Sequence, residues 1–205
     1  MHSLNKYPEI IIATSNNHKF ADFLLYLGDD YKLVQSTSLT FKIEVREGID
    51  SLADNAIAKA KAMSVATGKI AIGDDTGFFI DELNGEPGVA LRRWGGELGE
   101  NATDAEFWLH LQKKTQDLES LKCHFRQCVA VYSPNGKVKV IYNYNHGVLN
   151  RDKLKSPYNN TQIPISSAFE SNRRVKSWDE MSDEEKKVFD NIFITELKSA
   201  ISEIM

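Results

Sequence analysis

The stretch EIIIATSNNHKFADFLLYLG, residues 9–28, changes its hydrophobic period half-way along, and this change predicts the fold class. Residues 9–14 form a short β-branched run typical of a buried strand. Apolar residues then recur at helical spacing from Phe20 to Leu27, with Gly28 as a candidate C-terminal cap. A strand that leads through a polar loop into a helix is typical of an α/β protein.

In the rest of the chain, predicted strands alternate with predicted helices, and a β-hairpin then follows. Strands are predicted over residues 31–35, 41–45 and 69–73. Ser51 with Asp54 resembles a capping box that opens a helix through about Ala66, with Gly68 at its end, and a second helix is predicted from Thr103 to Leu118. Residues 122–132 and 137–149 alternate polar with apolar around a Pro134-Asn135-Gly136 turn signal, which predicts a long hairpin. Residues 154–177 are polar and carry no clear pattern. A capping box of Ser182 and Glu185 predicts a C-terminal helix with the apolar stripe Val188, Phe189, Ile192, Phe193, Leu197 and Ile201.

Composition narrows the class of protein. A chain of 205 residues, 41% hydrophobic and 26% charged, is long enough for one globular domain with two lobes around a cleft. The alternation of strands with helices, followed by a hairpin, predicts an α/β domain with a mixed sheet. A net charge of -4 argues against a nucleic acid polymer as partner, but local cations can still hold a small anion. No stretch approaches the roughly 18 apolar residues of a membrane span, and the N-terminus has no apolar signal core, so a cytoplasmic protein is expected. Cys123 and Cys128 are five residues apart in a predicted strand, and we interpret them as reduced core cysteines.

Two adjacent aspartates, Asp74 and Asp75, follow the predicted strand at 69–73. Neighbouring like charges repel, and burial makes the repulsion worse, so a positive partner is expected there. Mg²⁺ fits, since it takes oxygen ligands and commonly joins one or two carboxylates to substrate phosphates. Gly77 would permit a tight turn behind the pair, and a structural β-turn is the alternative interpretation.

Two further segments carry residues suited to phosphate. TSNNHK, residues 14–19, lies between a strand and a helix, where free backbone N–H groups and Lys19 favour an anion, although Ser15 or Asn16 could equally be a helix N-cap. Asn55 and Lys59 are four residues apart and share one helix face. Glu47, in the preceding loop, is either a metal ligand or a surface charge, and Lys61 is interpreted as a solvated lysine.

Together these segments resemble the inosine triphosphate pyrophosphatase family, whose members clear non-standard purine nucleoside triphosphates. The family's T-G/S-N-x-x-K loop is similar to residues 14–19, and its E-N-A-x-x-K-A helix is similar to residues 54–60, with Asp54 in place of Glu. Its D-D-S/T-G signature matches residues 74–77, and its G-x-P-G-V-x-x-x-R-Y/W segment matches residues 85–94. The order and spacing agree over roughly the first half of the chain.

The resemblance implies a long mixed sheet bent between two lobes, a nucleotide cleft between them, helices on both sides and usually a homodimer. It implies hydrolysis of the α–β phosphoanhydride with Mg²⁺, Asp75 being the general base and a metal ligand with Glu47, and Asp74 beside them. The residues expected to bind substrate are Thr14, Ser15, Asn16, Lys19, Asn55, Lys59, Thr76 and Arg93. A dimer contact could use Trp94, Phe107 and Trp108, although core packing explains these aromatic residues equally well.

The C-terminal half departs from the family pattern where the family reads the purine. The family's G-Y/W-D-P-x-F loop is replaced by residues 156–162, in which Tyr158 could stack on a base. On the last helix Lys186 matches, but the family's Ser-His-Arg becomes Asp190-Asn191-Ile192. We therefore expect an altered base preference with Asn191 as a new polar contact, unless another segment, such as residues 171–174, supplies the missing arginine. The rival interpretation is a nucleotide-binding sensor or partner protein without turnover.

Overall fold

A mixed β-sheet organises the protein in the computed structural model, which describes residues 7–48, 50–99, 101–158 and 164–205. The strands are β1 (Glu9–Ala13), β2 (Lys32–Gln35), β3 (Ile70–Ile80), β4 (Pro87–Gly88), β5 (Lys122–Tyr132), β6 (Val138–Leu149) and β7 (Phe169–Ser171). Their order within the described residues is β2-β1-β3-β5-β6-β7, and β4 pairs with β3. β1 runs parallel to both β2 and β3, whereas β4 and β7 pair antiparallel with their neighbours. The prediction of an α/β protein with a mixed sheet is confirmed.

Seven α-helices occur in the described ranges: α1 (Asn17–Leu27), α2 (Leu52–Thr67), α3 (Asp104–Thr115), α4 (Arg151–Lys155), α5 (Pro164–Ala168), α6 (Asp183–Phe189) and α7 (Asn191–Ile204). Ser51 caps α2 by accepting the N–H of Asp54 at 3.1 Å, and Gly68 ends the helix in the left-handed conformation at φ 66°. Both ends of this helix agree with the sequence prediction.

The described residues divide into two compact units: those within 1–75, 127–143 and 181–205 form unit 1, and those within 76–126 and 144–180 form unit 2. In unit 1, α2 lies directly on β3, because Gly73 has no side chain and a Cβ there would come within 2.1 Å of the Ala56 carbonyl oxygen. This close approach brings the residues of α2 next to the double aspartate.

Unit 2 has its own apolar core. Trp94, Phe107 and Trp108 are all buried in it, together with Phe78 and Phe169. Core packing therefore accounts for the aromatic residues that could have formed a dimer contact. Cys123 is also buried there and Cys128 is buried in unit 1, both as free thiols, and burial raises their pKa values to about 12 and about 11.

Two element predictions are wrong. Residues 41–45 contain no strand, although Ile43 packs against the core cluster that includes Ile11 and Ala71. The alternating pattern indicated a partly covered face, but such a pattern does not specify a neighbouring strand to pair with. The single C-terminal helix is instead α6 and α7, interrupted at Asp190, whose buried carboxylate accepts hydrogen bonds from Tyr26 Oη at 2.7 Å and Asn143 Nδ2 at 3.2 Å.

The break at Asp190 changes which apolar residues of the tail are covered. Phe193, Leu197 and Ile201 are buried as predicted, but Val188 and Ile192 are 74% and 68% exposed. The predicted stripe assumed one continuous helical period. The interruption leaves Val188 in the separate helix α6, whereas Ile192 lies in α7 itself but outside its buried face of Phe193, Leu197 and Ile201. The hairpin of β5 and β6, the turn at Gly136 and the capping box of Ser182 with Glu185 are confirmed.

Candidate active site

Asp74 and Asp75 lie in the middle of β3, so the prediction of a strand end followed by a turn at Gly77 is wrong. The strand continues because β4 pairs with it, Phe78 opposite Gly88. Gly77 serves this pairing, since a Cβ at that position would come within 2.8 Å of the Gly88 carbonyl oxygen. The glycine is needed for a close approach of two backbones.

Each aspartate has its own cationic partner, which answers why two acids can be buried side by side. Successive side chains of a strand point to opposite faces. Asp74 forms a salt bridge of 2.9 Å with Lys19 of α1, and Asp75 forms one of 3.2 Å with Lys59 of α2. The two residues are only 3% and 8% exposed. Two lysines thus supply positive charge next to the paired acids, and the prediction of a metal ion there stays a prediction.

Lys59 is the centre of the network on the α2 side of β3. Its Nζ lies 3.2 Å from Asp75 Oδ1 and 2.9 Å from Glu47 Oε1, and it donates to the Asp74 carbonyl oxygen at 2.9 Å. Burial alone would lower the pKa of this lysine, but the two carboxylates outweigh burial and raise the pKa above its ordinary value. Lys59 is therefore a permanently charged group between a buried and a half-exposed carboxylate.

Asn55, one turn before Lys59, is 4% exposed and is the second partner of Asp75. Its Nδ2 donates to Asp75 Oδ2 at 2.8 Å and to the Gly48 carbonyl oxygen at 3.0 Å, while its Oδ1 accepts the Gly48 N–H at 2.8 Å. The contact with Gly48 joins the loop that carries Glu47 to helix α2. Nothing local in the sequence at Gly48 indicated this contact, although the small residues Gly73 and Ala56 were a signal that α2 and β3 approach closely.

The loop at residues 14–19 is ordered as a helix cap. Asn16 is the N-cap of α1, and its Oδ1 accepts the N–H groups of His18 at 2.8 Å and Lys19 at 3.3 Å. Its own N–H donates to Thr14 Oγ1 at 3.1 Å. The N-cap interpretation is therefore confirmed for Asn16. Lys19 adds a full positive charge within the first turn, and Ser15 is exposed beside the cap.

The carboxylate oxygens near Lys59 are the kind of ligand that a hard cation such as Mg²⁺ takes. Glu47 and Asp75 each place a carboxylate oxygen within salt-bridge distance of the same nitrogen, and carboxylate oxygens are the ligands Mg²⁺ takes. Within the described ranges, no group of three or more His, Cys, Asp or Glu side chains forms a metal cluster. Such an ion would thus need oxygens from substrate or water as well, which is usual for Mg²⁺ at phosphate sites.

The remaining predicted site residues lie on β3 and on other segments of the chain. Thr76 follows Asp75 in β3, and Arg93 is half-buried in a 3₁₀ segment over Leu91–Gly96. Tyr158 packs its ring 5.7 Å from that of Trp108. Lys186 lies on α6, and Asn191 is exposed at the start of α7. Residues 159–162, which stand where the family has its base-reading loop, lie outside the described residues.

Known proteins of one family are similar to this chain over most of its length. A sequence model of the Ham1 family matches residues 10–195. The chain belongs to the Ham1 family. It is similar to the dITP/XTP pyrophosphatase of Leifsonia xyli, 31% identical over 132 residues that cover 64% of this chain and 65% of the relative. It is also similar to the dITP/XTP pyrophosphatase of Nostoc sp., 31% identical over 179 residues that cover 87% of this chain and 85% of the relative.

A solved structure extends the likeness to the fold. The Staphylococcus aureus Ham1 protein superimposes with a TM-score of 0.74 at 25% identity, covering 93% of this chain and 98% of that one. The predicted resemblance to a pyrophosphatase family is therefore confirmed at the level of the family, since its named relatives carry that activity. None of the described helices is long and apolar enough to cross a membrane.

Proposed function

We propose that this Ham1-family protein is a Mg²⁺-dependent pyrophosphatase that hydrolyses a non-standard nucleoside triphosphate to the nucleoside monophosphate and pyrophosphate. The observation that supports it most directly is the convergence of Asp75, Glu47 and Lys59 within unit 1. A buried carboxylate can accept a proton from water, and the charged lysine beside it can bind an anionic substrate. The relatives named for dITP/XTP hydrolysis support the same reaction.

In this proposal Asp75 accepts a proton from the attacking water, and the α–β P–O bond of the triphosphate breaks. Glu47 and Asp75 would hold Mg²⁺, with Asp74 close to them in β3, and the ion would offset the negative charge of the phosphate oxygens. Lys59 and Lys19 would bind those oxygens as cations, together with the free N–H groups and side chains at the start of α1. The other groups proposed to contact substrate are Thr14, Ser15, Asn16, Thr76 and Arg93.

The base preference is proposed to differ from a simple preference for hypoxanthine or xanthine. The family's arginine and histidine positions are occupied by Ile192, which is 68% exposed, and by Asn191. Without the arginine, the 6-oxo group of such a purine loses the two parallel N–H donors of a guanidinium. The side-chain amide of an asparagine offers a donor group and an acceptor oxygen instead. Tyr158 and Lys186 are proposed as further contacts to the nucleoside.

A nucleotide panel tests the activity and its specificity together. Pyrophosphate release from ITP, XTP, dUTP and the standard triphosphates would be measured with and without Mg²⁺, and kcat/KM compared. Release with Mg²⁺ from at least one nucleotide is expected. Tight binding of a nucleotide without any release would favour the sensor interpretation instead, and a preference for ITP and XTP of roughly a hundredfold would remove the proposal of altered specificity.

Homodimerisation and a cytoplasmic location are proposed on the family resemblance alone. The aromatic residues that could have supported a dimer contact are used in the core of unit 2. Sedimentation at micromolar concentration tests the dimer, since a single species at the 23.2 kDa mass of one chain would contradict it.

A further inference from the structure

We infer that Asn55 is a positioning residue, which clamps the Glu47 loop to Asp75, and not a direct contact to the triphosphate. The inference rests on the proposed function for its catalytic consequence, but the clamp itself is a property of the fold. Asn55 is 4% exposed, and its side chain makes three hydrogen bonds with described residues, all of them in unit 1. An asparagine amide offers two N–H donors, so both are already used.

The pairing with Gly48 fixes the orientation of the amide. The Gly48 N–H can only donate, so it must face Oδ1, and the Gly48 carbonyl can only accept, so it must face Nδ2. The second N–H then points to Asp75 Oδ2 at 2.8 Å. One buried side chain therefore ties the residue next to Glu47 to one oxygen of Asp75, and the other oxygen of Asp75 contacts Lys59.

This geometry gives the clamp two effects on the reaction. First, it holds the loop so that Glu47 reaches the same ammonium as Asp75, which keeps both candidate Mg²⁺ ligands together. Second, a hydrogen bond to Oδ2 fixes the direction of the Asp75 carboxylate. Groups that orient catalytic or metal-binding side chains typically contribute a factor of roughly 10 to 100 in activity or metal affinity when removed.

The test compares Asn55→Ala and Asn55→Asp with a control on the same helix, Ser51→Ala. Asn55→Asp keeps an acceptor for the Gly48 N–H, but it loses both N–H donors and places a carboxylate oxygen opposite the Asp75 carboxylate. Ser51→Ala removes the α2 cap, whose hydrogen bond to the Asp54 N–H is 3.1 Å, without touching the clamp. It therefore reports what destabilising α2 does by itself.

Amide hydrogen exchange of peptides containing Gly48 is the primary measurement, since it needs no activity. Faster exchange of the Gly48 amide, by roughly tenfold or more, is expected in Asn55→Ala, and unchanged exchange in Ser51→Ala. A Gly48 amide equally protected in wild type and Asn55→Ala would overturn the clamp. If Asn55→Ala does not fold, Asn55→Asp decides, since it should keep the Gly48 amide bond while losing activity.

Kinetics separate positioning from substrate binding. Both Asn55 variants are expected to lower kcat by roughly tenfold or more and to raise the Mg²⁺ concentration for half-maximal rate, with KM for the nucleotide little changed. A higher KM at unchanged kcat would overturn the inference and make Asn55 a substrate contact. Absence of pyrophosphatase activity in the wild type would refute the proposed function, while hydrogen exchange would still decide whether the clamp exists.

Discussion

Replacing Lys59 with methionine removes a charge from a well-buried ion pair and leaves its carboxylate partner in place. The Lys59 and Asp75 side chains are 15% and 12% exposed and 3.2 Å apart. Removing one member of a buried pair costs about 3 to 5 kcal/mol, because the other charge stays buried. The contact with Glu47, whose side chain is 47% exposed, adds at most about 1 kcal/mol.

We expect the lower end of that range, about 3 kcal/mol, because Asn55 still donates to Asp75 in the variant. For a chain of this size, that corresponds to a fall in the melting temperature of about 6 to 12 °C. Calorimetry or urea unfolding of Lys59→Met at neutral pH measures the loss. Lys61→Met is the matched control, since Lys61 is exposed on the same helix and its removal should change stability by less than about 0.5 kcal/mol.

A double-mutant cycle decides whether the buried charge of Asp75 causes the effect. In the Asp75→Asn background, Lys59→Met should cost much less, since no buried carboxylate is then left without its cation. The expected coupling energy is at least about 1 kcal/mol. Additive effects of the two substitutions, or a Lys59→Met variant as stable as wild type, would refute the electrostatic account of this network.

Two further predictions concern groups outside the candidate site. Tyr26→Phe should lower the free energy of unfolding by about 1 to 3 kcal/mol, because the buried Asp190 loses a hydroxyl donor at 2.7 Å; an unchanged urea midpoint would contradict this. Lys114 and the Trp94 indole hold the pKa of Glu86 below its ordinary value, so this carboxylate stabilises the fold above pH 4.5 and loses its contribution as pH falls through the lowered pKa. The stability difference between wild type and Glu86→Gln should therefore shrink between about pH 7 and about pH 3, and a constant difference would be the contrary result.

The fold was predictable from the sequence where local pattern decides structure. The β-branched run before Thr14 and the caps at Ser51 and Gly68 depend on neighbours a few residues away, and they were identified correctly. The helix break at Asp190 was not predictable, since its carboxylate binds Tyr26 and Asn143, which are 164 and 47 residues distant. The helical period of 3.6 residues depends only on residues a few positions apart, so it gives no information about partners this distant in the sequence.

The candidate site was likewise predictable where local spacing decides the structure, and was missed where pairing with a distant strand decides it. The four-residue spacing of Asn55 and Lys59 correctly indicated one helix face, and both residues contact Asp75. The separate partners of Asp74 and Asp75 were missed because the strand was predicted to end before them. Had the strand been extended through Ile80, its period of two would have placed the acids on opposite faces.

Product analysis of a single reaction tests whether the protein cleaves the α–β phosphoanhydride with Asp75 as the base. Wild type and Asp75→Asn would each be incubated with Mg²⁺ and the best triphosphate of the panel, and the products followed by phosphorus NMR. We expect equal amounts of nucleoside monophosphate and pyrophosphate from wild type, and a rate lower by about a hundredfold or more in Asp75→Asn. Formation of nucleoside diphosphate and orthophosphate, or near-native turnover by Asp75→Asn, would contradict it.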